Sequence, residues 1–390
     1  MKKKDNKHFQ MIAKTQLGLE TVLAKELTQL GAKDVEILNR AVSFSGDLGF
    51  MYKANLNLRT AFKILVPTYR FSARKDTDIY QQIVQIDWSQ YLDINNTFAV
   101  DAVVHSDFFT HSHYVALKVK DAIVDFFRDY TKGKRPNVDT VSPDLKINLH
   151  ISNDKCTLSL DSSGQSLHKR GYRKAVNEAP INEVLAAGLI LLSDWDKHSD
   201  FLDPMCGSGT ILIEAAMIAC HIPAGIHRQD FGFMHWKNYD DQLWQTIKTA
   251  SMKKTIDFQG KIIGCDRSFR SVRKAQENIK DAMLEDFIQV KRANFMRQPE
   301  PLDDGGILLF NPPYGEKLRV PEDEFYTHIG DTLKKHYSGC NAWFITSDMQ
   351  GIKNVGLKHS KKIKIFNANL ECRFLKYEMY DGTKKHSKKN

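Results

Sequence analysis

Asp200-Phe201-Leu202-Asp203-Pro204-Met205-Cys206-Gly207-Ser208-Gly209-Thr210 decides how the second half of the chain folds. The first four residues read as a short strand, and residues 211–219 read as an apolar helix. Between them, Gly207 and Gly209 let the backbone turn sharply and pass close to a ligand. A lone pair of glycines is equally an ordinary tight turn, so the neighbours must discriminate. The G-x-x-x-x-G-K-S/T spacing of a phosphate-cradling loop is missing, and Leu212 stands where a nicotinamide site would carry its third glycine. Asp203 instead suits a ligand bearing an ammonium group. Asp266 ends the next strand-like run, Lys261-Ile262-Ile263-Gly264-Cys265, and an acid there can grip both hydroxyls of a ribose.

Outward from this loop the alternation continues. Helices are expected over residues 182–192, 271–283 and 326–336, and strands over 306–310 and 341–346. Strands alternating with helices imply an α/β domain with a doubly wound, mostly parallel sheet, whose ligands sit at the carboxyl ends of the strands. Before Tyr172 the pattern differs, with α+β alternation and no nucleotide-binding glycines. Helices are expected near residues 21–27, 51–58, 79–86 and 114–129. Strands are expected over 35–38, 41–45, 64–69 and 97–103, and residues 144–151 and 155–161 form a hairpin about Ser152-Asn153-Asp154. Residues 221–258 interrupt the second half as an insertion. Its aromatics, Phe231, Phe233, Trp236, Tyr239 and Trp244, are expected to make a small helical cover with its own core. Residues 383–390 read as a disordered basic tail.

Composition narrows the class. A chain of 390 residues with 42% hydrophobic and 26% charged residues is expected to fold as two or three domains. A formal net charge of +9 points to a polyanionic partner. The longest apolar run, 184–192, is too short for a bilayer, and polar residues follow the basic start, so no signal peptide or membrane span is expected and the location is cytoplasmic. Six scattered cysteines without a C-x-x-C pair argue against a zinc site and a disulfide framework, so no metal is expected.

Asn311-Pro312-Pro313-Tyr314 follows the strand at 306–310 and carries the chemistry. An exocyclic amine on a nucleic-acid base is a poor nucleophile, because its lone pair is delocalised into the ring. Two acceptors set against its hydrogens draw the nitrogen towards tetrahedral geometry, and the Asn311 side-chain oxygen and the Pro312 carbonyl suit that task. Paired prolines stiffen the turn and offer no competing N–H. Tyr314 suits stacking on a base that has left its helix.

Taken together, the glycine loop, Gly264-Cys265-Asp266 and Asn311-Pro312-Pro313-Tyr314-Gly315-Glu316 resemble the class I methyltransferases that carry an N-terminal THUMP domain, above all the guanine-N2 methyltransferases of 23S ribosomal RNA. His168-Lys169-Arg170-Gly171-Tyr172-Arg173, Ala179-Pro180-Ile181-Asn182-Glu183 and Asn369-Leu370-Glu371-Cys372 extend the likeness over nearly the whole chain. The resemblance implies a ferredoxin-like region over 1–70, a THUMP RNA-binding domain over 71–166, a basic linker over 167–180 and a Rossmann-like catalytic domain over 181–382. It implies S-adenosyl-L-methionine as cofactor. This would be held by Asp203, Pro204, Cys206, Gly207, Ser208, Gly209 and Thr210 in the loop, Asp266 and Arg267 at the ribose, Asn294 and Phe295 at the adenine, and Asn311. Asn294 stands where many members carry an acid. Asn311, Pro312, Pro313 and Tyr314 would be catalytic, and Lys169, Arg170, Tyr172 and Arg173 would contact RNA, looped or single-stranded. The competing readings are a guanine-N2 methyltransferase of tRNA, an adenine-N6 methyltransferase of DNA or RNA, and a non-enzymatic RNA-binding factor.

Overall fold

The computed structural model describes residues 8–173, 181–303, 305–313 and 324–380. Tyr314, the linker segment 174–180 and the basic tail lie outside the described residues. The described chain forms two units. One comprises residues 8–15, 23–167 and 228–251, and the other the remainder.

The first unit is built on one eight-stranded sheet. Its strands are β1 (Phe9–Lys14), β2 (Lys33–Leu38), β3 (Ala41–Gly46), β4 (Lys63–Ser72), β5 (Thr97–His105), β6 (Asn137–Val138), β7 (Leu145–Ser152) and β8 (Lys155–Asp161), in the order β2-β3-β1-β4-β8-β7-β5-β6. β4 is long enough to join two halves: Lys63 to Leu65 pair with β1, and Leu65 to Ser72 pair with β8. The β7–β8 hairpin turns at Asn153, whose φ of 54° is one that asparagine tolerates in a tight turn. Helices α1 (Glu20–Leu30) and α2 (Leu48–Asn57) accompany the first half, and α3 (Asp76–Val84) and α4 (Ser112–Tyr130) the second. The apolar face of α3 and α4, with Ile79, Ile83, Val119 and Phe127, packs on Ile147, Leu149 and Leu158 of the sheet. β7 alternates accordingly, its odd-numbered residues facing this core.

The aromatics of the insertion do not form a core of their own. Phe231, Phe233 and Trp244 are buried with Met11, Phe44, Met51 and Tyr52 in the core of this first unit. Phe233 stacks on Tyr52 with ring centroids 4.4 Å apart, and its backbone N–H donates to the Ser162 carbonyl at 2.9 Å. The physical reason is surface. A short segment cannot bury several large rings against itself, whereas the flank of α2 supplies a ready apolar wall. Asp240 N–H donates to the Tyr52 hydroxyl at 3.1 Å. Tyr52→Phe is therefore expected to keep the packing and lose about 1 kcal/mol through the unpaired donor. Urea denaturation of both proteins measures it, and an unchanged midpoint would remove that bond from the account.

In the second unit the sheet has seven strands. These are β9 (Phe201–Asp203), β10 (Ile262–Asp266), β11 (Ile288–Arg292), β12 (Ile307–Phe310), β13 (Asn341–Thr346), β14 (Lys361–Asn367) and β15 (Leu370–Glu378), in the order β11-β10-β9-β12-β13-β15-β14. All neighbouring pairs are parallel except those made by β15, which runs against β13 and β14. The central strands are buried apolar runs, as a sheet covered on both faces requires: Phe201, Leu202, Leu308, Leu309 and Phe310 are all fully buried. Helices α5 (Glu183–Leu192) and α6 (Thr210–Ala219) are buried along nearly their whole length. The chain starts at β9, works outward through β10 to β11, then returns to the other side of β9 with β12. That reversal lies between β9 and β12, and doubly wound sheets bind their ligands at such a point. All six cysteines are free and buried. Among the described residues no helix is long and apolar enough to cross a membrane, and no group of three His, Cys, Asp or Glu could hold a metal ion.

Candidate active site

The glycine loop leaves β9 and the Asn311-Pro312-Pro313 peptide leaves β12, and these strands pair in parallel, with Ile307 opposite Phe201 and Leu308 opposite Leu202. Both segments thus emerge at the same end of adjacent strands. Gly207 has φ 55° and Gly209 φ 82°, in the region where a side chain is strained. A Cβ on Gly209 would also press on the Ala275 side chain at 3.2 Å. Gly209 N–H donates to the Cys206 carbonyl at 2.8 Å and Cys206 N–H to the Cys265 carbonyl at 2.9 Å, which tie the loop to itself and to β10. The Asn278 side chain donates to the Ser208 carbonyl at 3.0 Å. Pro204, Cys206, Ser208 and Thr210 are buried.

Asp266 ends β10 beside this loop. Its Oδ2 accepts from Gly207 N–H at 3.1 Å and its Oδ1 from Ser268 N–H at 2.8 Å. Each oxygen keeps a lone pair for a further donor. Burial raises the Asp266 carboxyl above its ordinary range, against the two N–H bonds and Arg267, which lower it. Asp203 is more deeply buried. Burial pushes its carboxyl well up, the charge of Asp266 adds to this, and one oxygen accepts from Met205 N–H at 3.1 Å. Burial likewise pushes the Cys206 thiol well up, which disfavours its thiolate.

Asn294 follows β11, and its side-chain oxygen accepts from Met296 N–H at 3.0 Å in a local turn. Phe295 differs from the expectation that it meets a ligand. Its side chain is buried in the core, with its ring 5.7 Å from Phe310 and 5.9 Å from Tyr337, so only its backbone is left for such a role. Arg267 is exposed, and its carbonyl accepts from Arg292 Nε at 3.2 Å. Asn311 Oδ1 is one of nine buried side-chain polar atoms among the described residues that have no hydrogen-bond partner, and it lies at the carboxyl end of β12. A buried acceptor left unmade costs about 1–3 kcal/mol, which a structure sustains where a ligand completes it.

The basic linker is corrected. Arg170 is 1% exposed and Tyr172 is buried beside it. Arg170 Nε lies 3.1 Å from Glu214 Oε1, Nη2 3.4 Å from Oε2, and the Tyr172 hydroxyl donates to Oε1 at 3.3 Å. Arg173 is drawn inward too: its Nη2 donates to Thr210 Oγ1 at 2.5 Å and the Ile181 carbonyl at 3.0 Å, and its Nε pairs with Glu183 at 3.1 Å. Arg170 and Tyr172 are therefore not available to RNA. They brace α6, the helix that follows the glycine loop. Of the four, only Lys169 is exposed. Glu214 belongs to none of the sequence motifs, and Glu183 enters only through the likeness carried by residues 179–183. Glu214 sits inside an apolar helix, where an acid needs a cationic partner, and that is the one signal that points to it.

Comparison with known proteins identifies the family. A family model described as "RMKL-like, methyltransferase domain" matches residues 170–376. A THUMP domain model matches residues 73–161 and an RlmL ferredoxin-like domain model residues 10–65. A relative from Synechocystis sp. named "Putative RNA methyltransferase" is 37% identical over 93% of this chain and 95% of its own length. A "Ribosomal RNA large subunit methyltransferase K/L" from Syntrophotalea carbinolica is 36% identical over 93% of this chain, which spans only 52% of that protein. Most of the curated relatives compared are of this second kind, so the chain covers about half their length. A solved structure of a "putative methyltransferase complexed with SAH" superposes with a TM-score of 0.85 at 31% identity, covering 97% of this chain and 100% of that one. The chain thus belongs to the RMKL-like methyltransferases, with a ferredoxin-like and a THUMP domain ahead of the methyltransferase domain.

Proposed function

We propose that this protein transfers a methyl group from S-adenosyl-L-methionine to the exocyclic N2 of guanine in 23S ribosomal RNA, in the cytoplasm. The observation that carries the chemistry is Asn311 Oδ1, a buried, unpartnered acceptor at the carboxyl end of β12, next to the glycine loop of β9. When bound, the cofactor supplies a methyl group on a positively charged sulfur. The loop fits it: Gly207 and Gly209 leave no side chain in the way, and Asp266 retains two acceptor positions for a ribose. Asn311 Oδ1 and the Pro312 carbonyl each accept a hydrogen bond from the target amine and draw its nitrogen out of conjugation. Tyr314 stacks on the extruded base. Positioning and electrostatics do the rest, and no covalent bond to the protein is needed. The THUMP domain supports an RNA partner, and relatives named for the large ribosomal subunit support rRNA over tRNA or DNA. Nucleoside mass spectrometry on rRNA from a strain lacking the gene tests it. Loss of N2-methylguanine is expected, while loss of N6-methyladenine alone would overturn the choice of base.

The ribose contact has its own test. Asp266→Asn keeps the shape of the side chain and removes its charge. Cofactor affinity is expected to fall about tenfold, in line with ~1.5 kcal/mol for the charged part of such a bond. Calorimetric titration measures it, and an unchanged Kd would move the ribose to another residue.

A further inference from the structure

A second buried oxygen beside the glycine loop also lacks a partner. Glu183 is 3% exposed, and among the described residues its Oε2 makes no hydrogen bond. Glu183 is the first residue of α5 and follows Asn182, whose side chain accepts from Val184 N–H and caps the helix. Its other oxygen, Oε1, lies 3.1 Å from Arg173 Nε. The same guanidinium reaches from there to Thr210, the first residue of α6, through Nη2. None of these contacts uses Nη1. An acid and a guanidinium therefore stand side by side at the N-terminus of the helix that the glycine loop opens.

Burying one oxygen of a charged carboxylate without a hydrogen bond is costly. An incoming donor removes that cost. Asp203, the residue that the sequence suggests for an ammonium group, is poorly placed to supply the charge. One of its oxygens holds the Met205 turn, and it has the like charge of Asp266 nearby. Burial raises the Glu183 carboxyl as well, but Arg173 opposes it there. The methionine end of the cofactor is a zwitterion, so it carries one group for each residue. The first N–H groups of α6 favour its anionic part further.

On the cofactor reading above, we infer that Arg173 and Glu183 together receive the amino-acid end of S-adenosylmethionine, Glu183 Oε2 accepting from its ammonium and Arg173 Nη1 donating to its carboxylate. The pair links cofactor binding to the linker that carries Arg170 and Tyr172, since Arg173 belongs to that same segment.

The test uses the full chain and two ligands, S-adenosylhomocysteine and 5′-methylthioadenosine, which has the adenosine and sulfur but no amino-acid end. Calorimetric titration of Glu183→Gln and Arg173→Lys is expected to show S-adenosylhomocysteine weakened on the order of tenfold to a hundredfold. The affinity for 5′-methylthioadenosine should stay as in the wild type. Equal weakening of both ligands, or of neither, overturns the inference. A wild-type chain that binds neither ligand overturns the cofactor reading itself. Should Glu183→Gln unfold, the decarboxylated homologue of S-adenosylhomocysteine carries the test. It should bind wild type about tenfold more weakly than the parent ligand and bind Arg173→Lys no more weakly than the parent does. An Arg173→Lys chain that still prefers the parent ligand as strongly as wild type overturns the assignment.

Discussion

Asn311→Ala is expected to lower the single-turnover rate of methyl transfer at least a hundredfold while cofactor affinity changes by less than about threefold. The acceptor it removes is buried and, among the described residues, makes no hydrogen bond. On the function proposed above the contact is made with the target amine and strengthens as the nitrogen turns tetrahedral, which is the condition for an effect on rate and not on binding. Losing one such preorganised group typically costs about 3–4 kcal/mol, a hundredfold to a thousandfold in rate. The glycine-loop and Asp266 contacts proposed for the cofactor are untouched, so its affinity is expected to hold. Rapid-quench measurement on the RNA substrate, beside a cofactor titration, separates the two quantities. A near wild-type rate would take the Asn311-Pro312-Pro313 peptide out of the active site.

Arg170→Ala is expected to destabilise the second unit by about 3–5 kcal/mol, a large part of the stability of an ordinary domain. Both partners are out of water, Arg170 at 1% and Glu214 at 0% side-chain exposure, with two nitrogen–oxygen contacts of 3.1 and 3.4 Å. Removing the guanidinium leaves the Glu214 carboxylate buried in an apolar helix, with the Tyr172 hydroxyl still donating to it. Removing both charges should cost far less, because a well-packed apolar pair avoids the desolvation penalty. Arg170→Met with Glu214→Leu is therefore expected to recover most of the loss. Denaturant midpoints of the three proteins decide the matter. Were Arg170→Ala to leave stability intact and weaken RNA binding instead, the side chain would be facing RNA after all.

The doubly wound half of the fold is legible from local pattern. Short apolar runs ending in glycine, acid or Asn-Pro-Pro, each followed by a helical period, specify parallel strands, because only a sheet covered on both faces asks for strands without polar alternation. The hairpin at Asn153 is legible for the same local reason: the turn chemistry and the flanking period of two agree. β1, β6, β11, β14 and β15 are not assigned by that reading. β14 and β15 mix lysines with apolar residues at the sheet edge, and β15 is the one strand that reverses, which local sequence does not announce. Similarly, an aromatic-rich insertion advertises burial but not its partner.

What the sequence determined by itself is the set of motifs: a glycine loop, an acid one strand over, and an Asn-Pro-Pro turn, in an order that the strand topology places at the same end of neighbouring strands. Those residues act through local backbone geometry and chemical type, both written in the neighbouring residues. Tertiary structure decided the fate of charge. Arg170 and Arg173 read as RNA contacts on a basic linker, yet Glu214, 44 residues beyond Arg170, and Glu183 take them inside. Whether a charged side chain faces water or a buried partner depends on the balance of desolvation against pairing. That balance exists only once distant segments have met.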